Sequence, residues 1–309
     1  MPPWYARGSR RLYRELIADA LPGLRLRHLR IHTEGWQNVV FEVNQAYIFR
    51  FPRSSAHAKL LATEIGLLPH LAARLRLRVP QPFVVGSLPG RRGWPFMGYR
   101  RIPGEPLEWD HVGPRRRSRL ADDLGPFLQD LARFPVAVAQ RLGVPGGGPE
   151  IWRARHEAEF RRFRERGHRV IPPRLREAAD RLFRQYLGEE RNFRWRPTLL
   201  HREVHGGHVL TARGRVTGVI DWGFACVGDP ARELAYWAAH FGGEDLERLS
   251  RGRLRANDET FFERVRTYRS LIPVYHILGG EAVGDRAMVR SGLLDLRRAV
   301  LFPAEPGRP

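Results

Sequence analysis

The sequence has almost no lysine and almost no cysteine. Lys59 is the only lysine and Cys226 the only cysteine among 309 residues. A single cysteine excludes an intrachain disulfide, and a reducing cytoplasm is the simple expectation. Because arginine carries nearly all of the positive charge, we interpret the formal net charge of +20 as a compositional bias at exposed positions. This composition favours a solvated basic surface over a nucleic-acid site.

Long apolar runs are missing as well. No stretch approaches the roughly 20 apolar residues that a membrane-spanning helix needs, and residues 1–24 lack the continuous apolar segment of a signal peptide. We therefore expect no membrane partner. The one compact arginine run, Arg115 to Arg117, lacks aromatic neighbours on which bases could stack. A nucleic-acid partner is accordingly not expected, and the sequence does not indicate an oligomeric state.

The first third of the chain predicts mainly β-structure. Residues 11–21 have the spacing of a short amphipathic helix. A second helix is predicted to begin at Ser54 or Ser55, and Pro69 is expected to kink or split it. Alternating apolar residues predict strands over residues 28–32, 38–43, 46–51, 81–86 and 95–102. Together these segments predict a five-stranded antiparallel sheet with one main helix.

After Ile102 the pattern becomes helical. Helices are predicted near residues 116–134, 152–167 and 174–187, and again from 230 to 302. A short β-region over 198–222 contains a hairpin that turns at Arg213 and Gly214. The length suits two lobes better than one. We expect an α+β chain with a β-rich lobe over residues 1–102 and a larger, mainly helical lobe over residues 103–309.

Two acidic segments carry the strongest chemical signal. The first spans residues 201–210 and contains Glu203, and the second, after the hairpin, contains Asp221. Phosphoryl transfer needs a carboxylate beside the attacking hydroxyl, oxygen ligands for Mg²⁺, and cations or N–H groups for the phosphates. A loop acid followed by a second acid on a hairpin can supply the two carboxylate roles.

These segments resemble the paired signatures of the aminoglycoside phosphotransferase family, which also takes in macrolide and choline kinases. That family has a protein-kinase-like fold with a small antiparallel sheet in its N-terminal lobe. Its loop typically reads His-Gly-Asp-x-His-x-Gly-Asn, and His201, His205 and Gly207 match it. Its second motif is complete here, with Ile220, Asp221, Trp222, Gly228, Asp229, Pro230, Glu233, Leu234 and Ala235.

Three loop positions depart from the family pattern. Arg202 replaces a glycine, Glu203 the catalytic aspartate, and His208 the metal-binding asparagine. Glu203 keeps the charge of a base but is one methylene longer, and a misplacement of about 1 Å can cost about 100-fold in rate. Imidazole suits ions such as Zn²⁺ better than Mg²⁺. A nucleotide-binding pseudokinase with little or no phosphotransfer therefore remains an alternative to an active enzyme.

The resemblance implies a role for each matched residue. It makes Glu203 the catalytic base, and Asp221 and His208 the metal ligands. Structural alternatives stay open: a loop acid for Glu203 and a hydrogen-bonding loop histidine for His208. His201 and His205 are expected to brace the loop.

Within the family, the first third of the chain most resembles the branch of the aminoglycoside 2″-phosphotransferases and macrolide kinases. This resemblance implies a nucleotide loop, a strand cation that pairs with phosphate, a helix acid that holds this cation, and a hinge that binds the purine through its backbone. The alternatives are an exposed strand arginine and an ordinary interdomain turn. The implied residues are, in that order, Gly35 and Asn38, Arg50, Glu64, and Arg101 with Ile102.

The function implied is that of a small-molecule kinase. It would move the γ-phosphate of ATP or GTP to a hydroxyl of an aminoglycoside, macrolide, sugar or related metabolite, with Mg²⁺ or Mn²⁺. Residues 1–102 would bind the nucleotide, and residues 103–309 would carry the catalytic loop, metal site and acceptor site. A basic nucleic-acid-binding protein on the same scaffold is a third hypothesis. The positive charge of the whole chain argues against a strongly cationic acceptor. Six acids in the expected acceptor region would instead attract such an acceptor: Glu244, Asp245, Glu247, Asp258, Glu259 and Glu263.

Overall fold

The structure, a computed structural model, describes residues 7–32, 37–255 and 258–301 and divides into two compact units. Two short stretches that follow residue 209 belong to the first unit, whereas the sequence predicts them to be in the helical lobe. An isolated backbone bridge explains part of this difference, since the backbone N–H of Val219 donates to the carbonyl oxygen of Arg78 at 2.9 Å. The first unit comprises Met1–Glu105, Leu210–Ala212 and Thr217–Phe224, and the second comprises Pro106–Val209, Arg213–Val216 and Ala225–Pro309.

The first unit contains the five-stranded antiparallel sheet that the sequence predicts. The strand order is β1-β2-β3-β5-β4. Alternation along β2 buries Val39, Phe41 and Val43 on one face, as the two-residue period of a strand requires. The strands are β1 (Leu29–His32), β2 (Asn38–Val43), β3 (Tyr47–Pro52), β4 (Pro82–Ser87) and β5 (Pro95–Arg100).

Two helices accompany this sheet, α1 (Arg7–Ala20) and α2 (Ser55–Ala72). Ser54 caps α2, because its hydroxyl oxygen accepts a hydrogen bond from the N–H of His57 at 3.2 Å. The helix continues through Pro69, so the expected split does not occur. The buried face of α2 is apolar except at one position, which is occupied by Glu64.

Apolar side chains from the sheet and from α1 form the core of the first unit. Ile17 of α1 is fully buried among aromatic residues of the sheet. The rings of Phe51 and Phe96 stack with centroids 5.0 Å apart. This packing fixes β3, the strand that carries Arg50. The buried core residues are Ile17, Val39, Phe41, Val43, Phe49, Phe51, Leu88 and Phe96.

The second unit is mainly helical, as predicted. An apolar cluster joins α7, α10 and α11 around Phe183, Leu271 and Leu296. Within the described ranges, no helix is long and apolar enough to cross a membrane. The helices are α3 (Pro114–Ala132), α4 (Val136–Arg141), α5 (Pro149–Arg162), α6 (His168–Val170), α7 (Pro173–Gly188), α8 (Ala235–Phe241), α9 (Leu246–Ser250), α10 (Phe261–Val283) and α11 (Arg286–Leu301).

Five short strands complete the fold, and two of them frame the acidic loop. Strand β7 pairs antiparallel with β10, so that Leu200 lies opposite Cys226. The loop over residues 201–208 leaves the end of β7 directly, and Asp229 follows the end of β10. The strands are β6 (Glu105–Pro106), β7 (Thr198–Leu200), β8 (Val209–Ala212), β9 (Arg215–Val219) and β10 (Cys226–Gly228), with β6, β8 and β9 in one sheet of that order.

A buried polar network ties the second motif to α10. The guanidinium of Arg264 donates from Nε to Oδ2 of Asp229 at 2.6 Å and from Nη2 to Oδ1 at 2.9 Å. The hydroxyl of Tyr268 donates to the same carboxylate at 2.7 Å. At Gly228 a Cβ would meet the ring of Trp152 at 2.0 Å, which explains the glycine before Asp229. Asp229 is fully buried and therefore structural here.

Candidate active site

Arg50 lies at the centre of a charged cluster in the first unit. It is 4% exposed, so it is not a strand arginine on the solvent face. One terminal nitrogen, Nη1, donates to Oε1 of Glu64 at 2.5 Å, and the other, Nη2, donates to Oδ1 of Asp221 at 2.7 Å. The structure therefore brings together the strand cation, the helix acid and the acid of the second motif, three residues selected from separate parts of the sequence.

Burial and charge oppose each other within this cluster. Burial alone would lower the pKa of Arg50, but the charges of Glu64 and Asp221 outweigh that effect and raise it. Burial raises the pKa of Glu64, while the charge of Arg50 opposes the rise. Arg50 therefore stays charged in a dry environment, where a phosphate oxygen would be held more strongly than in water.

Local backbone geometry places Asp221 in the cluster. Asp221 adopts a left-handed conformation with a φ of +63°, which aspartate tolerates better than most residues. The next residue, Trp222, donates its backbone N–H to Oε1 of Glu64 at 3.1 Å. The Asp221 side chain remains 34% exposed, so its carboxylate can still be reached from solvent.

Three further residues expected to contact the nucleotide are Gly35, Asn38 and Arg101. Gly35 lies outside the described residues. Asn38 is buried, and its side-chain oxygen has no hydrogen-bond partner in the part of the chain that the structure describes. The backbone N–H of Arg101 is already bonded, since it donates to the carbonyl oxygen of Ala46, in the turn before β3, at 2.8 Å.

The side chain of Arg101 is also engaged, because it donates to the carbonyl oxygen of Gly104 at 3.1 Å and to Glu105 at 2.5 Å. Ile102 is buried, and its backbone N–H donates to no other backbone group of the described chain. Of the two residues expected at the hinge, Ile102 is thus the one whose N–H has no backbone partner among the described residues.

The loop over residues 201–208 is shaped by bonds to its own backbone and histidines. The N–H of Glu203 donates to Nδ1 of His201 at 3.3 Å. The N–H of Gly207 donates to Nδ1 of His205 at 3.2 Å, and Nδ1 of His208 lies 3.0 Å from the carbonyl oxygen of Glu203. These bonds give His201 and His205 the bracing role expected of them.

Two sequence features of the loop have direct steric causes. At Gly206 a Cβ would meet the ring of Trp109 at 1.9 Å and the carbonyl oxygen of Leu107 at 2.2 Å, so only glycine fits. Arg202 has a φ of +76°, in the left-handed region that favours glycine. The family's glycine at this position is thus explained, and Arg202 keeps its backbone conformation at a cost in strain.

Glu233 holds the strained residue in place, a role that its sequence position does not predict. Both of its carboxylate oxygens accept from the N–H of Arg202, at 3.0 and 3.1 Å. Burial raises the pKa of Glu233 to about 7, although the Arg202 N–H and the charge of Arg232 oppose the rise. The available signal was its place in the second motif, four residues after Asp229. That motif names the residue but not its partner.

Several acids expected to form an acidic acceptor region are already paired with arginine. Glu244 and Asp245 both contact Arg117. Asp258 pairs with the buried Arg264 at 2.6 Å, and Glu263 lies 3.2 Å from Arg191. The attraction that these carboxylates would exert on a cationic acceptor is therefore reduced.

The fold is shared with solved phosphotransferases of the protein-kinase-like class. A structure of APH(2″)-IIIa in complex with GDP and kanamycin has a TM-score of 0.85 and 26% identity, covering 94% of this chain and 99% of that one. A macrolide 2′-phosphotransferase from Brachybacterium faecium has a TM-score of 0.72 and 23% identity, covering 96% of this chain and 98% of that one. The second likeness shows the fold alone.

Sequence comparison identifies the family. The viomycin phosphotransferase of Streptomyces vinaceus is 28% identical over 294 residues, which cover 92% of this chain and 98% of the relative. The profile of the phosphotransferase enzyme family, APH, matches residues 28–271. The chain belongs to this family. It is a phosphotransferase with an alcohol group as acceptor.

Proposed function

We propose that the protein transfers the γ-phosphate of ATP or GTP to a hydroxyl of a small acceptor, an aminoglycoside, a macrolide or a related hydroxylated metabolite. The observation that carries this proposal is the buried Arg50, paired with both Glu64 and Asp221. Burying a cation between two carboxylates costs desolvation free energy. A second task of the cation, besides this pairing, would explain why the arrangement is kept. Binding a nucleotide phosphate is such a task, since a guanidinium can bind phosphate in a bidentate manner.

In this proposal the remaining residues of the first unit complete the nucleotide site. Arg50 donates to the phosphates, and Glu64 keeps it oriented. The backbone N–H of Ile102 meets the purine, and Gly35 and Asn38 belong to the phosphate loop. Arg101 contributes through its position after β5 and not through its N–H, which donates to Ala46.

The metal that the family implies fits one of the two proposed ligands better than the other. Asp221 offers carboxylate oxygen, the donor that Mg²⁺ prefers, and its side chain is partly exposed. His208 offers an imidazole nitrogen, a poorer donor for these ions than carboxylate oxygen. We propose that the metal is Mg²⁺ or Mn²⁺ and that Asp221 is its principal ligand. Bound to the phosphates, this ion would neutralise their charge.

Glu203 is the proposed catalytic base. A general base must accept the proton of the attacking hydroxyl, and proton transfer of this kind contributes roughly 10²- to 10⁴-fold in rate. The backbone of Glu203 is held at its N–H by His201 and at its carbonyl by His208. These two bonds fix the point from which the longer side chain extends.

The relatives' names and the charges of this chain together narrow the acceptor class. The relatives are described as a kanamycin complex, a macrolide phosphotransferase and a viomycin phosphotransferase. Because acids of the second unit are paired with arginine, they attract a polycation less strongly than unpaired acids would. Within the acceptor class proposed above, we therefore propose that compounds of low positive charge are preferred over polycations. A cytoplasmic location belongs to the same proposal.

Nucleotide-dependent stabilisation and turnover test this function together. The protein is heated with ATP or GTP, with and without Mg²⁺ or Mn²⁺, and γ-phosphate transfer is measured over a panel of hydroxylated antibiotics and metabolites. We expect metal-dependent stabilisation, transfer to at least one acceptor, and loss of both in Asp221→Asn. Asp19→Asn, an exposed acid of α1, is the matched control and should behave like the wild type.

Two outcomes would contradict the proposal in different ways. Stabilisation by nucleotide without transfer to any acceptor would favour the pseudokinase, the alternative that Glu203 and His208 keep open. A missing nucleotide response together with salt-sensitive binding of DNA or RNA would favour the nucleic-acid hypothesis.

A further inference from the structure

Three side chains of the acidic loop converge although only one of them replaces a family metal ligand. Ligand atoms of Glu203, His205 and His208 all lie within 4.8 Å of one another. All three residues are partly buried, so the atoms are accessible to a small ion without being freely solvated. The spacing Glu-x-His-x-x-His brings them together on the short turn that precedes β8.

The bond made by His208 fixes which of its nitrogens can bind a metal. Its Nδ1 lies 3.0 Å from the carbonyl oxygen of Glu203. Because a carbonyl can only accept, Nδ1 carries the proton and Nε2 carries the lone pair. A backbone carbonyl that fixes the tautomer in this way is the usual support of a metal-binding histidine.

His205 can exchange a weak hydrogen bond for a bond to a metal ion. Its ring packs against that of His208, with centroids 3.9 Å apart. Its Nδ1 accepts from the N–H of Gly207 at 3.2 Å, which is the long end of the range for a hydrogen bond. Ligation through Nε2 would move the ring proton to Nδ1, and this bond would be exchanged for a bond to the metal.

The donor set selects the kind of ion. Two imidazole nitrogens and one carboxylate are a donor set typical of Zn²⁺ sites that retain a position for water. Mg²⁺ demands six near-octahedral oxygens and is a poor match. Tetrahedral bonds of about 2.1 Å place the ligand atoms about 3.4 Å apart. The present separations, which are within 4.8 Å, therefore have to shorten by up to about 1.4 Å through side-chain rotation when the ion binds.

We propose that Glu203, His205 and His208 bind a borderline divalent metal ion, Zn²⁺ by their chemistry, with a ligand set that does not include Asp221. The binding itself depends only on the loop. One consequence depends on the proposed function: a Glu203 carboxylate that ligates Zn²⁺ cannot accept the proton of the acceptor hydroxyl. Zn²⁺ would thus act as a reversible inhibitor of phosphotransfer.

Calorimetric titration of the metal-free protein with Zn²⁺ alone tests the binding. We expect one saturable site, little response to Mg²⁺, and a loss of affinity of more than about tenfold in His208→Asn and in Glu203→Gln. His28→Asn, an exposed histidine of the first unit, is the matched control and should bind like the wild type. Circular dichroism of each variant checks that the fold is kept.

Three results would overturn the site: no saturable binding of Zn²⁺, an affinity unchanged in both loop variants, or a loss of affinity in His28→Asn. The activity arm is read separately. We expect Zn²⁺ to suppress γ-phosphate transfer and a zinc-selective chelator to restore it. Zn²⁺ binding without any phosphotransfer under any condition would contradict the proposed function and leave the metal site standing. Phosphotransfer that Zn²⁺ does not affect would refute the inhibitory consequence.

Discussion

The two acidic regions of this protein are held by different means. In the cluster of Arg50, Glu64 and Asp221 the side chains bind one another. In the loop over residues 201–208 side chains bind backbone groups: the N–H of Arg202 donates to Glu233, and the carbonyl oxygen of Glu203 accepts from His208. The cluster keeps the family's acid at Asp221, whereas the loop departs from the family at three positions.

This difference shows where substitution is tolerated. A side chain whose position depends on two charged partners cannot change without leaving one of them buried and unpaired. A loop whose backbone is fixed by Glu233 and by its own histidines can keep its shape while the side chain at Arg202 or Glu203 changes. We therefore expect the cluster to respond strongly to mutation and the loop fold to respond weakly.

The largest expected effect on stability is at Arg50. Arg50→Met leaves the buried Glu64 without its cation, and removal of one partner of a buried pair destabilises by about 3–5 kcal/mol. Urea unfolding measures this change. Arg30→Met, which removes an exposed arginine from β1 of the same sheet, should change stability by less than about 0.5 kcal/mol. Similar losses in the two variants would show that the cluster is not specially paired.

The next effect concerns pH and Glu233. Its pKa is about 7 in the fold, above the ordinary value of 4.5, so the folded state retains a proton that the unfolded state has released. Stability contributed by this group should fall as pH rises from about 4.5 to 7, by roughly 3 kcal/mol. Urea unfolding across this pH range measures the slope.

Glu233→Gln should flatten the slope in that window, because glutamine does not titrate. Glu157→Gln, at an exposed position on α5, should leave the slope unchanged. A wild-type slope that persists in Glu233→Gln would contradict the assignment of this titration to Glu233.

The smallest effect is expected from Arg202→Gly, which restores the family's residue. Glycine adopts the φ of +76° without strain, and we expect a gain of about 1 kcal/mol. Arg213→Gly relieves an exposed left-handed residue in the hairpin and should give a similar gain. Thermal unfolding compares the two variants. A loss of stability in Arg202→Gly alone would mean that its side chain has a structural role that outweighs the backbone strain.

The fold was largely predictable because its signals are local. Alternation of apolar residues marked the five strands of the first sheet, and Ser54 marked the start of α2. Pro69 predicted a kink or a split, and the split does not occur, since α2 continues past it to Ala72. The allocation of Leu210–Ala212 and Thr217–Phe224 to the first unit depends on long-range pairing that no local pattern reveals.

The sequence predicted which residues belong to the site, but it did not predict the contacts between them. Motif spacing selected Arg50, Glu64 and Asp221, but the double pairing of Arg50 requires coordinates. The bond from Arg202 N–H to Glu233 crosses 31 residues of sequence, and nothing in the residue types announces it. The convergence of His205 with His208 and Glu203 likewise follows from the turn before β8 and not from the spacing alone.

The identity of the base is the central claim, and steady-state γ-phosphate transfer by Glu203→Gln and Glu203→Asp, with Glu157→Gln as control, tests it most directly. We predict that Glu203→Gln lowers turnover by about 10²- to 10⁴-fold, that Glu203→Asp raises it above the wild type, and that the control leaves it unchanged. Undiminished turnover in Glu203→Gln would contradict the account.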